Sequence, residues 1–480
     1  MTDLYDVAVI GAGVVGAMIA RELTKYDLKV CILERENDVA CGATKANSAI
    51  VHAGFDAKEG SLKARLNVRG SKMMAETAKQ LGVRYKNNGS LVIALNDDDM
   101  IEVENLYNRG VKNGVDGLKI IDAKELKLLE PNITDNAVGA LYAPTGAIIC
   151  PYGLCIAAVG NAMDNGAELK LNFEVSSISH TDGAYRLASE KDSICAKYVV
   201  NAAGVYADRI ANMAGDFSFK IHPRRGEYIL LDSECGTLTE RTIFRTPSEK
   251  GKGILLSPTV DGNYLTGPTA VDMEDKEDKS TTPEGFAKII SEAMENVPSV
   301  SFAKTITSFC GLRAVGDTGD FIINVKDGGF VNVAAIESPG LSASPAIAEY
   351  VVELLRNSGL KLESNENFNP VREPMHRFRD ADIDEKNRII KQDPRFGRVI
   401  CRCETVTEGE IVEAIYKNPG ARDIDGVKRR TRSGMGRCQG GFCLPYVAEI
   451  LSRELGKKYD DITKSGGNSH ITVGKTKGAV

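Results

Sequence analysis

Residues 6–34, DVAVIGAGVVGAMIARELTKYDLKVCILE, decide the fold at the N-terminal end of the chain. A β-branched run leads into Gly11-Ala-Gly13-Val-Val-Gly16, and a helical pattern and a second strand ending at Glu34 follow. In this context the first glycine makes a tight turn, the second lets the backbone approach a pyrophosphate, and the third allows close helix packing. Glu34 is placed to accept ribose hydroxyls. The stretch therefore predicts an α/β fold with a Rossmann-type dinucleotide-binding domain.

Composition and charge limit the function classes. The chain has 480 residues, enough for two to four domains, and its net charge is −6 without long basic runs. Nucleic acid is therefore not expected as a partner. No run of about 18 apolar residues occurs, so we expect no transmembrane segment. The start MTDLYDVAVIG lacks a basic region and a cleavage site, which favours a cytoplasmic protein over a secreted one.

Four cysteines near the C-terminus form a second motif. Cys401 and Cys403 lie in ICRCE, and Cys438 and Cys443 lie in GRCQGGFC, so the pattern is C-x-C, 34 residues, then C-x4-C. Four thiolates suit either an iron–sulfur cluster or a structural zinc ion. The spacing alone leaves both open.

Three further stretches carry a family resemblance: CGATKANSAIVHAGF (41–55), VVNAAGVYAD (199–208) and ESPGLSASPAIAEYV (337–351). Together they resemble the D-amino-acid oxidase-like superfamily of FAD-dependent oxidoreductases, over most of residues 3–357 and in the expected order. The chain has no second G-x-G-x-x-G motif, so FAD is expected rather than FAD together with NAD(P)H.

The resemblance implies which residues contact FAD. Residues 43–48 would line the flavin and its phosphates, and the backbone at Val175 would contact adenine. Ser344-Pro345 reads as the N-cap and first residue of a helix whose positive end would stabilise the reduced ring. The expected FAD contacts are Gly11, Gly13, Gly16, Glu34, Arg35, Thr44, Asn47, Ser48, Val175, Gly204, Gly340 and Leu341.

Alcohol oxidation by hydride transfer also requires a base for the hydroxyl proton. His52 is the candidate, because histidine titrates near neutrality and N-S-x-x-x-H-A-G resembles the motif of flavoproteins that oxidise glycerol 3-phosphate or 2-hydroxyglutarate. Arg313 matches the superfamily arginine that binds a substrate carboxylate or phosphate, for which a planar guanidinium is suited. Arg225, Tyr228 and Lys252 are further substrate-binding candidates.

Residues 398–456 resemble the bacterioferritin-associated-ferredoxin type of [2Fe–2S] domain, and a flavin in the same chain favours this cluster over zinc. We expect a Rossmann-type FAD-binding domain, an antiparallel-sheet substrate cap and a small helical iron–sulfur domain. Two helix starts are also predicted: Ser61 is the expected N-cap of a helix over 61–80, and Thr407 with Glu410 fits a capping box. The expected boundaries are 1–82, 149–216 and 306–357 for the FAD-binding domain, 83–148 and 217–305 for the cap, 358–397 for a linker, 398–460 for the [2Fe–2S] domain and 461–480 for a tail.

The resemblance is closest to FAD-dependent glycerol-3-phosphate dehydrogenases with a C-terminal iron–sulfur domain. It implies hydride transfer from sn-glycerol 3-phosphate, a small anionic substrate, to flavin N5. Electrons would leave through the cluster to an acceptor protein subunit or a quinone, which could hold the enzyme at the inner membrane. Two alternatives remain: an L-2-hydroxyglutarate or amino-acid dehydrogenase, and an electron-transfer subunit with a vestigial substrate site.

Overall fold

The computed structural model describes residues 4–247, 253–326 and 328–474, so the candidate Lys252 lies outside the described residues. The strands are β1 Leu4–Ile10, β2 Val30–Leu33, β3 Ile50–Val51, β4 Tyr85–Lys86, β5 Ser90–Ala94, β6 Lys119–Asp122, β7 Gly139–Ala143, β8 Ala147–Ile149, β9 Glu168–Lys170, β10 Ser177–Thr181, β11 Ala184–Ala188, β12 Ser193–Asn201, β13 Ile221–Leu231, β14 Thr242–Arg245, β15 Leu255–Pro258, β16 Tyr264–Gly267, β17 Val271–Asp272, β18 Thr305–Gly316, β19 Ile322–Lys326, β20 Phe330–Ala334, β21 Val399–Cys401 and β22 Val406–Thr407.

The helices are α1 Val14–Leu23, α2 Leu62–Gln80, α3 Asp97–Lys112, α4 Ala123–Leu129, α5 Pro151–Asp164, α6 Ala207–Met213, α7 Pro283–Asn296, α8 Gly340–Asn357, α9 Ile383–Gln392, α10 Glu408–Tyr416, α11 Ile424–Thr431 and α12 Leu444–Leu455. Within the described ranges, no helix combines the length and the apolar content needed to cross a bilayer.

The first sheet contains the predicted nucleotide-binding motif. Its parallel centre has the order β12-β1-β2-β9, and β12 also pairs with β11 along its first half and with β20 along its second. Helices α1, α5 and α8 pack on this sheet around one apolar core. The turn after β1 lies beside the end of β2, where the Gly11 amide donates to the Leu33 carbonyl at 2.8 Å. The predicted Rossmann-type α/β fold is confirmed.

In the second sheet, the long strand β13 pairs with β16 and β17 along one edge and with β18 along the other. From β16 the order continues β15-β14-β5-β7-β6. Every pair is antiparallel except β14 with β5, which is parallel. The sheet unites strands from 83–148 and 217–305, the two segments that the sequence analysis assigned to the cap. Strand β18, which the sequence analysis assigned to the FAD-binding segment 306–357, also belongs here, because it pairs with β13 along nearly its whole length. The boundary at residue 306 was therefore placed too early.

Helix α8 begins five residues earlier than the N-cap signal at Ser344 predicted. Its N-cap is Pro339, and Pro345 lies inside the helix. Proline has no N–H to give to the Leu341 carbonyl four residues back, and the Ser344 hydroxyl donates to that carbonyl instead, at 2.9 Å. The serine thus compensates for the proline within the helix rather than beginning it. By contrast, Ser61 caps α2 as predicted, accepting from the Ala64 amide.

The C-terminal part is a small, mainly helical unit with its own apolar core, formed around α10, α11, α12 and the β21–β22 pair. Thr407 and Glu410 form the predicted capping box at the start of α10. The segment after residue 460 is not wholly a separate tail, because Ile462 is buried in this core and the Ile424 amide donates to the Thr463 carbonyl.

Candidate functional site

A cavity of about 750 Å³ lies between the first and second sheets. One wall is formed by the glycine-rich turn, by residues 41–48 and by the start of α8. The opposite wall is formed mainly by β13 and β18. Its volume falls in the range of cofactor and ligand sites, about 300–1,000 Å³.

The glycine-rich turn leaves the N-terminus of α1 open to this cavity. Gly11 has φ +104°, and a Cβ atom there would lie 2.5 Å from the Ala202 carbonyl oxygen. A Cβ atom on Gly16 would collide with the Gly11 carbonyl oxygen, so this glycine allows α1 to pack closely. Gly13 is the N-cap of α1 and has no side chain to accept the first-turn amides. These amides can bind an anionic phosphate.

Glu34 lies at the nucleotide end of the cavity. Its carboxylate accepts from the Ala12 amide at 2.8 Å and from the Glu36 amide at 3.0 Å. Burial raises the pKa of Glu34, although these two hydrogen bonds oppose the shift. Each carboxylate oxygen has a second lone pair, so Glu34 can still accept from a ribose. The neighbouring Arg35 guanidinium lies over the Tyr206 ring, 4.1 Å from its centroid.

Residues 43–48 form a short, internally bonded loop along the cavity. The Thr44 hydroxyl accepts from the Val14 amide at 3.0 Å, which joins the loop to the first turn of α1. The Asn47 side chain donates to the Thr44 carbonyl and accepts from the Ala49 amide, both at 2.8 Å. These bonds fix the loop. Ser48, Val175, Gly204, Gly340 and Leu341 also line the cavity, whereas Gly16 serves helix packing.

His52 follows β3 and lines the same cavity. Its backbone amide donates to the Ser342 hydroxyl at 2.7 Å, and its Nε2 atom lies 3.4 Å from the Ser338 hydroxyl. The Phe244 ring packs against the imidazole at a centroid distance of 5.9 Å. The histidine is therefore oriented by the start of α8 and by a strand of the second sheet. Phe244 was not predicted as a site residue. Ser338 was expected beside the flavin ring, but its contact with His52 was not predicted.

Arg313 reaches the cavity from β18 and is held by the second sheet. Its Nη2 atom donates to the Thr269 carbonyl at 2.7 Å, and the guanidinium lies over Gly226, where a Cβ atom would be 2.8 Å from Nη2. Tyr228 is buried beside it, and its hydroxyl lies 3.1 Å from the Ser48 hydroxyl. Burial raises the pKa of Tyr228, with Arg313 opposing the shift, so the phenol stays a neutral hydrogen-bonding group.

Arg225 does not line the cavity beside Arg313 and Tyr228, although it was predicted as a substrate-binding residue. Its guanidinium is buried and forms an ion pair with Asp278, and it does not line the cavity. Because side chains alternate along a strand, it is the neighbouring Arg224 that faces the cavity. Two adjacent arginines gave no signal in the sequence of which one faces inward.

The four cysteines come together as two pairs. The Sγ atoms of Cys403 and Cys438 are 3.5 Å apart, and the Cys401 and Cys443 thiols are hydrogen-bonded. Each pair takes one cysteine from each motif. Two pairs of thiolates suit the two iron atoms of a [2Fe–2S] cluster, each of which takes two cysteine ligands.

Backbone amides surround these sulfurs. The amides of Gly434 and Glu404 lie close to the Cys401 sulfur, and those of Gly440 and Phe442 lie close to the Cys438 sulfur. A Cβ atom on Gly436 would collide with Cys403, so a glycine is needed for the loop to close. Such N–H groups stabilise the negative charge of a cluster and tune its potential.

Buried ion pairs dock this unit onto both sheets. Asp38 lies beside the FAD-lining loop and accepts from Arg429 at 2.5 Å and from Arg430 at 2.8 Å. Arg432 contacts Glu404, next to a cluster cysteine, at 2.7 Å and Asp261 of the second sheet at 2.8 Å. The cysteine loops are thus fixed to the rest of the chain on two sides.

Comparisons with known proteins agree with this geometry. The family model of FAD-dependent oxidoreductases matches residues 6–354, and that of the BFD-like [2Fe-2S] binding domain matches residues 399–453. Glycerol 3-phosphate dehydrogenase of Caloramator mitchellensis is 51% identical over 479 residues, covering 99% of this chain and 100% of the relative. Glycerol 3-phosphate oxidase of Mycoplasma genitalium is 32% identical and covers 76% of this chain and 97% of the relative.

A solved structure shows the same fold. Dithionite-reduced L-alpha-glycerophosphate oxidase from Mycoplasma pneumoniae with FAD bound superimposes with a TM-score of 0.74 at 32% identity, over 77% of this chain and 98% of that one. The open helix N-terminus, the buried acid at the end of β2 and the paired cysteines fit FAD and a [2Fe–2S] cluster. The chain belongs to the family of FAD-dependent oxidoreductases and carries a C-terminal BFD-like [2Fe–2S] binding domain.

Proposed function

We propose that this enzyme is a dehydrogenase that oxidises sn-glycerol 3-phosphate to dihydroxyacetone phosphate. The observation that carries the proposal is the meeting of His52, which follows β3, and Arg313, on β18, in one cavity. A base and a fixed cation are what oxidation of an anionic alcohol requires. The relatives named for glycerol 3-phosphate, one of them matching over the full length, support this substrate over L-2-hydroxyglutarate or an amino acid.

Each of the side chains in the cavity would have a separate role in the reaction. His52 would take the proton of the substrate hydroxyl, with Ser338 orienting its Nε2 atom. Arg313 would bind the phosphate, since its guanidinium lines the cavity and is anchored on the Thr269 carbonyl through Nη2. Phe244 would keep water from the reacting face. FAD, when bound, supplies the two-electron acceptor.

Cys401, Cys403, Cys438 and Cys443 would hold the [2Fe–2S] cluster, which carries electrons singly. The acceptor would be a protein or a quinone reached through one. Cys403 is solvent-exposed, so one side of the cluster would be accessible to such a partner. The hydrogen-bonded docking of this unit supports a fixed electron exit within one chain.

The test is anaerobic rapid mixing of the purified holoenzyme with glycerol 3-phosphate and, separately, with L-2-hydroxyglutarate. We expect the visible flavin band to bleach only with glycerol 3-phosphate, followed by loss of cluster absorbance. His52→Ala should slow bleaching roughly 10²–10⁴-fold. Bleaching with L-2-hydroxyglutarate would instead reassign the substrate, and no bleaching with either compound would favour an electron-transfer subunit.

A further inference from the structure

Two arginines lie directly opposite each other on the cavity wall formed by β13 and β18. Arg224 on β13 and Arg313 on β18 are cross-strand partners in the antiparallel register, and both line the cavity. Directly opposite side chains project from the same face of a sheet, and like charges in this position destabilise it. An anionic ligand between the two guanidinium groups would remove this repulsion.

The contacts of Arg224 leave part of its guanidinium available. Its Nε atom donates to Asp272 at 2.6 Å and its Nη2 atom donates to the other carboxylate oxygen at 3.3 Å. Asp272 thus holds one edge of the planar group. Within the described part of the chain, Nη1 of Arg224 has no hydrogen-bond acceptor. Arg313 is held beside it by the Thr269 carbonyl, which accepts from Nη2, and by the neighbouring Tyr228 hydroxyl.

The Arg224–Asp272 pair is not explained by stability alone. The side chain of Asp272 is 68% exposed and that of Arg224 is 31% exposed. Ion pairs this exposed contribute little to stability, and here the pair also places a second positive charge opposite Arg313. Orientation of the Arg224 guanidinium for an anionic ligand accounts both for the exposed ion pair and for the second positive charge opposite Arg313.

We propose that Arg224 is a second phosphate-binding residue, which Asp272 orients so that Nη1 reaches the anion beside Arg313. This inference rests on the proposed function and deepens it. A phosphate monoester carries a charge of roughly −1.5 to −2 at neutral pH, whereas a carboxylate carries −1. Two adjacent guanidinium groups match the phosphate, so the pair would select a phosphorylated alcohol over a hydroxy acid.

Arg224→Gln tests the proposal in the holoenzyme. Two substrates are compared anaerobically with an artificial electron acceptor: glycerol 3-phosphate and glycerol, which has the same reacting carbinol without the phosphate. We expect KM for glycerol 3-phosphate to rise roughly 10–150-fold, the range for one lost hydrogen bond to a charged group. The kcat/KM for glycerol should stay within about twofold. Inorganic phosphate should inhibit the variant correspondingly less.

Two further variants complete the design. Arg186→Gln removes an exposed positive charge on β11, away from the cavity, and should leave both substrates unaffected. Arg224→Lys keeps the charge but loses the planar fork, so its KM should fall between those of the wild type and Arg224→Gln. An unchanged KM in Arg224→Gln, or an equal loss with both substrates, would overturn the proposal. If the wild type itself fails to oxidise glycerol 3-phosphate, it is the proposed function that fails.

Discussion

Gly226→Ala should weaken substrate binding without unfolding the protein. The new Cβ atom would lie 2.8 Å from Nη2 of Arg313 and 3.1 Å from Cβ of Pro268. Non-bonded heavy atoms are comfortable only at about 3.5 Å or more, so the guanidinium would have to withdraw by roughly 0.7 Å. The 2.7 Å bond from Nη2 to the Thr269 carbonyl would be lost or lengthened beyond hydrogen-bond range.

The magnitude follows from that bond. A hydrogen bond to a charged group contributes about 1.5–3 kcal/mol, so misplacing the guanidinium should raise KM for glycerol 3-phosphate roughly 10–150-fold. The backbone at Gly226 is not in the left-handed region, so alanine suits this strand position. The thermal unfolding midpoint should therefore change little.

Steady-state kinetics of the variant, alone and combined with Arg313→Ala, would measure the effect. If Gly226 acts only by placing Arg313, adding Gly226→Ala to Arg313→Ala should cause no further loss, because the two changes share one interaction. A KM equal to that of the wild type, or additive losses in the double variant, would refute the reasoning.

Three other substitutions test separate parts of the structure. Burial tends to raise the pKa of Asp38, but Arg430 and Arg429 outweigh this and lower the pKa to about 2. The ion pairs of Asp38 should therefore stabilise the fold at pH values above 3.8, the pKa in the unfolded chain. This stabilisation should be lost as the pH falls through about 2. Asp38→Asn should cost roughly 3–5 kcal/mol near neutral pH and flatten this acid dependence in urea unfolding; an unchanged unfolding curve would contradict it. Cys403→Ser should remove iron and cluster absorbance while FAD stays bound, and retained iron would argue against Cys403 as a ligand. Ser344→Ala should lower stability by about 1 kcal/mol in thermal unfolding, because the partly buried Leu341 carbonyl loses its donor.

The sequence predicted the parts of the fold that local chemistry determines. The glycine-rich turn, the Ser61 cap of α2 and the Thr407–Glu410 capping box were confirmed because each depends on residues within a few positions of one another. The predicted start of α8 was wrong because it, too, was based only on neighbouring residues. Ser344-Pro345 is a good local N-cap signal, and only the tertiary setting shows that the helix continues through it.

The substrate side depends on register, which local patterns do not specify. Arg224 and Arg225 differ by one position, and a shift of one residue moves a side chain to the other face of a sheet. The sequence also could not show that β18 pairs with β13, which places Arg313 over Gly226. The roles assigned to His52 and Arg313 remain predictions for the experiments above.

The docking of the cysteine-bearing unit has a kinetic consequence. Arg432 holds Glu404, beside Cys403, and Asp261 of the second sheet, while Asp38 is held on the nucleotide side. With both sides anchored, the gap that an electron must tunnel across is set by the packing of one folded chain. Electron transfer from the flavin to the cluster would then need no diffusional search. Protein dilution or higher solvent viscosity would slow only the later encounter with the external acceptor.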